Sequence, residues 1–325
     1  KNTKNKTADH FCIQPFVNVT TRLRGNHAVC CNISDPVNSP NIKNQSIKDF
    51  FNSEQVRSMR TDLLSNKKLD ICKLCHYMED NNQTSHRQRY NEYWMIKQNN
   101  DYENTLKKLR LNSLKNPAYA EIHISNLCNL KCLTCNEIDS SKFHAENKEL
   151  GISANPTVDF TKFVISSIEA VKQVLTTDLR FLDIRGGETL MIPELKELLV
   201  NVPVELSKNI TLKIQTNGTI NPDEQWLQIF KKFKNTKFNI SVDAYGEDNH
   251  YVRYPSDWNK ILKTIEIVKS NNIKFIINTV VSNLNIFVLD KLLGWIKKEQ
   301  YLNYFYILKG PTHYQYFNFP EELLK

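Results

Sequence analysis

Short apolar runs alternate with longer helix-like runs over the last two thirds of the chain. The short runs have the length and β-branched content of strands, and the longer runs space their apolar residues as helices do. Such repeats predict parallel strands joined by crossover helices. The predicted strands cover residues 120–125, 180–185, 210–216, 237–242, 274–280 and 304–309, and the predicted helices cover 159–175, 193–206, 223–233, 257–270 and 286–299. Because a closed barrel needs eight strands, we expect an α/β fold with a partial, open (β/α)6 barrel.

The predicted strands also alternate between apolar and polar side chains. In the first strand Ile122 and Ile124 share one face and Glu121 and His123 share the other, because successive side chains point to opposite faces. The polar faces of the next three strands carry Asp183 and Arg185, then Lys213, Gln215 and Asn217, then Asn239, Ser241 and Asp243. A closed barrel of eight strands has an apolar interior, so this pattern favours an open lumen that holds polar ligands. The alternative is that these residues lie at solvated strand ends.

The first 80 residues have a different pattern, with five cysteines, several turn sequences and one helix-like stretch near 46–64. A domain of this size buries little apolar surface, so a bound metal or cluster is expected to stabilise it. Four regions are therefore predicted. They are a loop-rich domain at 1–80, a polar helical linker at 81–116 whose few anchors include Tyr90 and Trp94, the barrel at 117–310 and a tail at 311–325.

Composition excludes some classes of protein. Of 325 residues, 40% are hydrophobic and 24% charged, as in an ordinary globular protein, and no apolar run is long enough to cross a membrane. The first ten residues lack the apolar segment of a secretory signal, so a cytoplasmic location is expected. The net charge of +8 comes from scattered lysines, which makes a nucleic acid partner unlikely. A basic surface suits an acidic electron donor such as a flavodoxin or ferredoxin, and a solvated surface explains the charge equally.

All eight cysteines are clustered, which favours metal binding over disulfides in a reducing compartment. Cys128, Cys132 and Cys135 lie on one short loop directly after the first predicted strand. Structural zinc sites usually have four protein ligands, whereas three thiolates leave one iron of a cubic iron–sulfur cluster open. An open iron is a place where a substrate or cofactor can bind.

A strand, a CxxxCxxC loop and strand–helix repeats together resemble the radical S-adenosylmethionine (radical SAM) superfamily, over residues 117 to 310. The resemblance implies a 4Fe-4S cluster on Cys128, Cys132 and Cys135 that binds S-adenosylmethionine (SAM). It also implies that the later strand ends hold SAM. Alone, a Gly-Gly-Glu or Thr-Asn-Gly sequence is most often a turn. The implied SAM-binding residues are Thr134, Gly186, Gly187, Glu188, Thr216, Asn217, Ser241, Asp243, Arg253, Asn278 and Val280.

Arg253 and Thr134 match the pattern of the superfamily to different degrees. Arg253 resembles an arginine that pairs with the SAM carboxylate, for which a guanidinium is well suited. Thr134 occupies a position that is commonly aromatic in the superfamily, where the aromatic residue stacks near adenine.

The N-terminal cysteines are similar to those of SPASM or twitch extensions, which bind auxiliary 4Fe-4S clusters. The resemblance implies a second cluster on Cys12, Cys30, Cys72 and Cys75, and Cys31 is an alternative to its neighbour Cys30. A zinc site on the same four thiolates is the structural alternative.

The resemblance implies reductive cleavage of SAM to a 5'-deoxyadenosyl radical, which abstracts hydrogen from a substrate. A peptide or protein side chain is the first expectation, because many similar enzymes with auxiliary clusters modify peptides. The alternatives are a polar small molecule, such as a sugar, amino acid or nucleotide, and a non-catalytic iron–sulfur sensor or binding module. The catalytic residues are not identified, and the candidates are His123, Asp183, Arg185, Lys213 and His313.

Overall fold

The computed structural model describes residues 10–33, 40–97, 115–159 and 162–319. The chain divides into two compact units, each made of two segments. The N-terminal unit comprises Lys1–Ile122 and Glu169–Leu182, and the C-terminal unit comprises His123–Ile168 and Asp183–Lys325. No helix within the described ranges is both long and apolar enough to cross a membrane.

Short elements make up most of the N-terminal unit. They are α1 (Gln14–Val17), β1 (Asn18–Thr21), β2 (His27–Ala28), α2 (Ile47–Phe51), α3 (Glu54–Leu64), a 3-10 turn (Asp70–Cys72), α4 (Lys73–Asp80), α5 (His86–Asn91) and a π-helical turn (Glu92–Lys97). The single helix predicted near 46–64 is wrong, because it is two helices. Ser46 accepts from the Asp49 backbone N–H and Ser53 from that of Val56, so a second cap starts a new helix.

The remaining elements are six strands and eight helices among the described residues, apart from short 3-10 turns. The strands are β3 (Tyr119–His123), β4 (Phe181–Arg185), β5 (Thr211–Thr216), β6 (Asn235–Ser241), β7 (Lys274–Val281) and β8 (Asn303–Ile307). The helices are α6 (Ser141–Glu149), α7 (Lys162–Val174), α8 (Pro193–Val200), α9 (Val204–Ser207), α10 (Glu224–Lys232), α11 (Glu247–Val252), α12 (Trp258–Ser270) and α13 (Leu289–Glu299). All six predicted strands are present, with ends shifted by a few residues.

The described strands form one eight-stranded sheet in the order β2-β1-β3-β4-β5-β6-β7-β8. The pairs β5–β6, β6–β7 and β7–β8 are parallel, as is β1–β3, whereas β1 and β2 are antiparallel. The predicted α/β class is confirmed. The sequence did not predict β1 and β2, because β1 is polar yet fully buried. Two of its side chains bond locally: the Asn18 amide donates to the Val29 carbonyl, and Thr21 Oγ1 bonds to His27 Nδ1.

The two faces of β5, β6 and β7 are covered to different extents. Leu212, Ile214, Phe238, Ile240 and Ile277 are completely buried. On the opposite face lie half-buried residues, which are Lys213, Gln215, Lys237, Asn239, Ser241, Asn278 and Val280. The predicted alternation is therefore present. We call this second face, together with Asp183 and Arg185 of β4, the polar face.

An aromatic core holds the N-terminal unit together. Phe11, Trp94, Tyr119 and Phe181 are buried in it, and Tyr119 stacks on Phe181 with ring centroids 5.7 Å apart. Tyr90, predicted as a linker anchor, packs against the same core. The described part of the predicted linker thus belongs to the packed unit, residues 98–114 lie outside the described ranges, and the four domain boundaries stay predictions.

Candidate cofactor and cluster sites

The loop of Cys128, Cys132 and Cys135 is fixed by backbone hydrogen bonds along its length. Lys131 N–H donates to the Tyr254 carbonyl at 2.7 Å, and Leu133 N–H donates to the Val252 carbonyl at 2.9 Å. These bonds set the direction of the loop before any cluster is bound.

The same loop borders a cavity of ≈ 240 Å³ in the C-terminal unit. Ten of the fourteen predicted cluster and SAM residues line it, namely the three cysteines with Thr134, Gly186, Gly187, Thr216, Asn217, Ser241 and Arg253. The sequence missed other lining residues, which are Leu130, Asn136, Asp139, Ser140 and Gln215. The sequence contained a signal for Gln215, because this residue lies on the polar face of β5 and directly precedes the predicted site residue Thr216.

Burial changes the titration of the loop thiols. It raises the pKa of Cys128 to about 11 and that of Cys135 to about 12, so both thiols are protonated at neutral pH unless a positive centre lies beside them. Iron supplies such a charge, because thiolates are its usual ligands in clusters. Three thiols on one wall of a cavity therefore fit the cluster that the sequence predicts.

Gly186 and Gly187 let two backbone segments lie unusually close. Gly187 N–H donates to the Ser125 carbonyl at 2.7 Å. A Cβ on Gly187 would lie 2.4 Å from the Leu127 oxygen, and one on Gly186, which has φ +156°, would lie 2.5 Å from the Ser125 oxygen. Only glycine fits at these positions. The backbone after β4 thus packs directly against the segment that leads into the cysteine loop.

Glu188 connects strand ends and does not line the cavity. Its fully buried carboxylate accepts hydrogen bonds from the Thr216 hydroxyl at 2.8 Å, the Asn217 N–H at 2.7 Å and the Leu190 N–H at 3.1 Å. Burial raises the pKa of Glu188, and these hydrogen bonds oppose that rise. A direct contact of Glu188 with SAM stays a prediction, whereas its contacts fix the end of β5.

The end of β5 is tied in turn to the cysteine loop. The Asn217 side-chain amide donates to Asn129 Oδ1 at 2.8 Å, and the Asn129 amide donates to Thr219 Oγ1 at 2.8 Å. Asn129 was not predicted as a site residue, because its role depends on a contact between segments far apart in the chain.

Arg253 and Asp243 form a buried ion pair beside the thiols. Arg253 Nη1 donates to Asp243 Oδ2 at 2.8 Å, while Asp243 Oδ1 accepts from the Val280 N–H at 2.8 Å. Arg253 Nε is buried without a hydrogen-bond partner among the described residues. A buried donor is costly when it is unsatisfied. An anionic ligand such as the SAM carboxylate fits this donor.

The remaining predicted SAM residues are not at the cavity wall. Asn278 contacts Gln215, with 3.5 Å between Nδ2 and Oε1, and is half-buried. Val280 contributes the N–H that holds Asp243. Their direct contacts with SAM stay predictions.

The structure brings together three of the five catalytic candidates. Asp183 is fully buried and pairs with both Arg185 and Lys213. The carbonyl of His123 accepts from the Ser167 hydroxyl at 2.9 Å. His313 is exposed, with its ring against Tyr314, and it does not line the cavity.

Five thiols meet in the N-terminal unit. Cys12, Cys30, Cys31, Cys72 and Cys75 line one cavity, and all five are free of disulfides. Burial raises the pKa of Cys30 to about 12 and that of Cys72 to about 11. The choice between Cys30 and Cys31 as a ligand therefore stays open. Within the described ranges, no three His, Cys, Asp or Glu side chains are arranged to hold a single metal ion.

One charged residue of this second cavity was missed. Arg87 lines it, donates to the Phe11 carbonyl at 2.8 Å and is paired with Glu79. Its charge lowers the pKa of Cys72 against the larger effect of burial. Because the contact depends on tertiary structure, no sequence motif points to Arg87.

A parallel α/β sheet with three loop thiols at its strand ends, and a separate group of five thiols, defines an iron–sulfur protein. Residues 122–292 match the radical SAM superfamily, and residues 12–76 match the SPASM iron–sulfur cluster-binding domain. The chain belongs to the radical SAM superfamily. Membership implies a 4Fe-4S cluster and SAM, and the SPASM match implies an auxiliary iron–sulfur cluster.

Curated relatives are distant. The chain is 26% identical over 179 residues to a GTP 3',8-cyclase of Clostridium perfringens, which covers 55% of this chain and 50% of the relative. It is 27% identical over 183 residues to an uncharacterized protein of Methanocaldococcus jannaschii, covering 54% and 57%. The chain thus spans about half the length of the curated relatives it matches.

Two solved structures are similar. The first, native anSMEcpe with bound AdoMet and a Kp18Cys peptide, is 24% identical with a TM-score of 0.43, over 59% of this chain and 51% of that one. The second, Streptococcus suis SuiB, is 16% identical with a TM-score of 0.43, over 78% and 56%.

Proposed function

We propose that this chain is a radical SAM enzyme that abstracts hydrogen from a peptide or protein side chain. The observation that carries the chemistry is the cavity of the C-terminal unit, which the three loop cysteines and Arg253 both line. Superfamily membership supplies the reaction class.

Each group in the cavity has a separate task in this proposal. Cys128, Cys132 and Cys135 hold the SAM-binding 4Fe-4S cluster and leave one iron for the cofactor. Arg253 binds the cofactor carboxylate through Nε while Asp243 holds the guanidinium in place. Glu188 acts as a positioning residue, since its carboxylate fixes Thr216 and Asn217 at the cavity wall.

When bound and reduced, the cofactor supplies the group that removes hydrogen from carbon. The protein's own contribution is to align that carbon and exclude water. Half-buried amides of the polar face, such as Gln215 and Asn278, provide oriented hydrogen bonds for the polar groups of the substrate.

Two observations support a peptide as the substrate. The first is the SPASM match, because auxiliary clusters of this kind accompany many enzymes that modify peptides. The second is β8, which is the last strand of the sheet as described and exposes Phe305, Tyr306 and Ile307. An extended peptide can pair with such an edge strand. The reducing partner in this proposal is a flavodoxin or ferredoxin.

A polar small molecule is the second candidate. The similarity to GTP 3',8-cyclase favours a nucleotide, and the polar face offers the hydrogen-bonding groups that a nucleotide needs. Incubation with GTP and, separately, with peptides, followed by mass spectrometry of the products, distinguishes the two substrate classes.

The central test is SAM cleavage. We expect anaerobically reconstituted protein to form 5'-deoxyadenosine from SAM when dithionite is added, and Cys132→Ala to lose this activity because the cluster loses one of its three thiolate ligands. Leu150→Ala, which changes an exposed residue of the same unit, is the matched control. If the unaltered protein forms no 5'-deoxyadenosine with or without GTP or peptides, the sensor or binding module becomes the better description.

A further inference from the structure

Side chains of α5 hold the segment around Cys12 in place. The Phe11 carbonyl accepts from Arg87 Nη1 and from the Asn91 amide, both at 2.8 Å. On the other side of the cysteine, Ile13 N–H donates to Asn91 Oδ1 at 2.8 Å. Because both neighbours of this thiol are fixed, the direction in which the chain enters α1 is fixed as well.

Gln14, the first residue of α1, has an unused donor in this unit. The residue is only 4% exposed, and it lines the cavity of the five thiols. Its Nε2 atom is buried without a hydrogen-bond partner among the described residues. A buried donor is costly when it is unsatisfied, so we expect this amide to find an acceptor when the cavity is occupied.

Asn32 supplies a second side-chain amide beside the thiols. Its Nδ2 donates to Cys75 Sγ at 3.8 Å. Its backbone N–H bonds to the Cys30 thiol, and the Gln14 N–H bonds in the same way to the Cys12 thiol. Three of the four predicted ligands of the auxiliary cluster therefore accept hydrogen bonds from only two residues.

Arg87, which also lines this cavity, is already engaged. Its Nε and Nη2 donate to the Glu79 carboxylate, and its Nη1 donates to the Phe11 carbonyl. The ion pair with Glu79 also balances its charge. Arg87 thus has less to offer a ligand in the cavity than Gln14, whose Nε2 donor is unused.

We infer that the side-chain amides of Gln14 and Asn32 donate hydrogen bonds to sulfur atoms of the auxiliary cluster and raise its reduction potential. Reduction adds negative charge to a cluster, and hydrogen bonds to its sulfurs favour the more negative state. The inference rests on the iron–sulfur cluster that the SPASM match implies. It goes beyond the proposed function, because it holds for either class of substrate.

The reduction potential tests this inference without any turnover. Full-length Cys132→Ala, reconstituted anaerobically, should lack the signal of the SAM-binding cluster, so a redox titration followed by electron paramagnetic resonance reports the auxiliary cluster. In this background we expect Gln14→Met, which keeps the side-chain length without the donor, to make reduction about tenfold less favourable, a fall of about 59 mV for one electron. Asn32→Leu should lower the potential too.

A matched control separates hydrogen bonding from packing. Ile71→Val changes an apolar residue of the same cavity and should leave the potential unchanged. In protein with both clusters, the signal that shifts in Gln14→Met should be the one that Cys132→Ala retains. If Gln14→Met holds less iron than its parent, Gln14→Asn, whose amide is one methylene shorter, is titrated in its place.

Equal potentials in the parent protein and in both amide variants would overturn the inference. A fall in Ile71→Val as large as that in Gln14→Met would also overturn it, since packing alone would then explain the shift. Zinc instead of iron in the N-terminal unit would do the same. Formation of 5'-deoxyadenosine is scored separately on protein with both clusters, so a failure of the proposed function is distinguishable from a failure of this inference.

Discussion

The two groups of thiols are built in different ways. The C-terminal unit takes three thiols from one eight-residue loop, whose backbone is hydrogen-bonded to neighbouring segments, and surrounds them with glycine backbone, amides and a guanidinium. The N-terminal unit takes five thiols from three separate segments and surrounds them with a mixed set of apolar and polar side chains, which are Ile33, Ile71, Leu74, Tyr90, Gln14, Asn32, His86 and Arg87. The first arrangement leaves room for a ligand beside the sulfurs. The second provides enough sulfurs to complete a cluster by itself.

The largest expected effect that tests this comparison is the loss of a cluster from one site at a time. We expect about eight irons per chain in the reconstituted protein and about four in either Cys132→Ala or Cys72→Ala, because each variant loses one 4Fe-4S cluster. Iron and zinc are both measured. Of the two variants, only Cys72→Ala should keep at least part of the SAM cleavage activity. Cys72→Ala should nevertheless fail to form the modified substrate.

Cys31→Ala completes this experiment. Full iron content in Cys31→Ala, with loss in Cys30→Ala, would assign Cys30 as the ligand. Four irons and one zinc per chain in the unaltered protein would contradict the second cluster.

The next largest effect is expected on protein stability, from the close approach of the Gly187 backbone to that of Leu127. Gly187→Ala places a Cβ 2.4 Å from the Leu127 oxygen, so we expect it to destabilise the folded protein by on the order of 4 kcal/mol. Gly294→Ala, where a Cβ meets nothing within 4 Å, is the matched control and should be neutral or slightly stabilising. Urea unfolding measures both, and similar stabilities for the two variants would show that the cysteine loop does not need this close approach.

The N-terminal unit should be the more sensitive to mild acid. His27 lies close before Cys30, and burial lowers its pKa to about 4. Since the unfolded chain binds a proton near pH 6.5 and the folded one does not, stability should fall as pH drops from about 6.5 to 4, by about 3 kcal/mol in total.

The variant His27→Gln isolates this effect. Between pH 6.5 and 4, the difference in unfolding free energy between His27→Gln and the unaltered protein should change with pH. The control variant His313→Gln, at an exposed histidine, should keep the pH profile of the unaltered protein. Parallel profiles for His27→Gln and the unaltered protein would rule out His27 as the source.

A smaller effect is expected from Arg253→Lys. Lysine keeps the positive charge but lacks the guanidinium Nε, which is buried without a hydrogen-bond partner among the described residues, so the affinity for SAM should fall about tenfold. Equilibrium binding of SAM to the reconstituted protein measures it. An unchanged affinity would mean that charge alone is recognised there.

The sequence predicted those features that depend on a local pattern of residues along the chain. Cys128, Cys132 and Cys135 were predicted as a group because their spacing fixes them on one loop, and the structure places all three at one cavity. The two faces of the strands followed from alternation with period two, which burial on one face imposes on every residue of a strand. Arg185 and Lys213 were predicted on the polar face for the same reason.

The sequence could not predict features that depend on contacts between distant segments. β1 has no apolar alternation because both of its faces are buried, and the Asn18 amide donates to the nearby Val29 carbonyl. Asn129 and Arg87 act through partners that only folding brings close. The contact of Glu188 with the cofactor stays a prediction, and the sequence did not show that its carboxylate accepts hydrogen bonds from Leu190, Thr216 and Asn217.

The hydrogen bonds from Lys131 and Leu133 to Tyr254 and Val252 have a thermodynamic consequence. They join the loop that carries the proposed cluster ligands to the residues on either side of Arg253. If ordering one segment restrains the other, cluster assembly and cofactor binding share a coupling free energy, and each must strengthen the other by the same factor. SAM affinity would then report how much of the protein carries its cluster, and added SAM would slow the loss of iron.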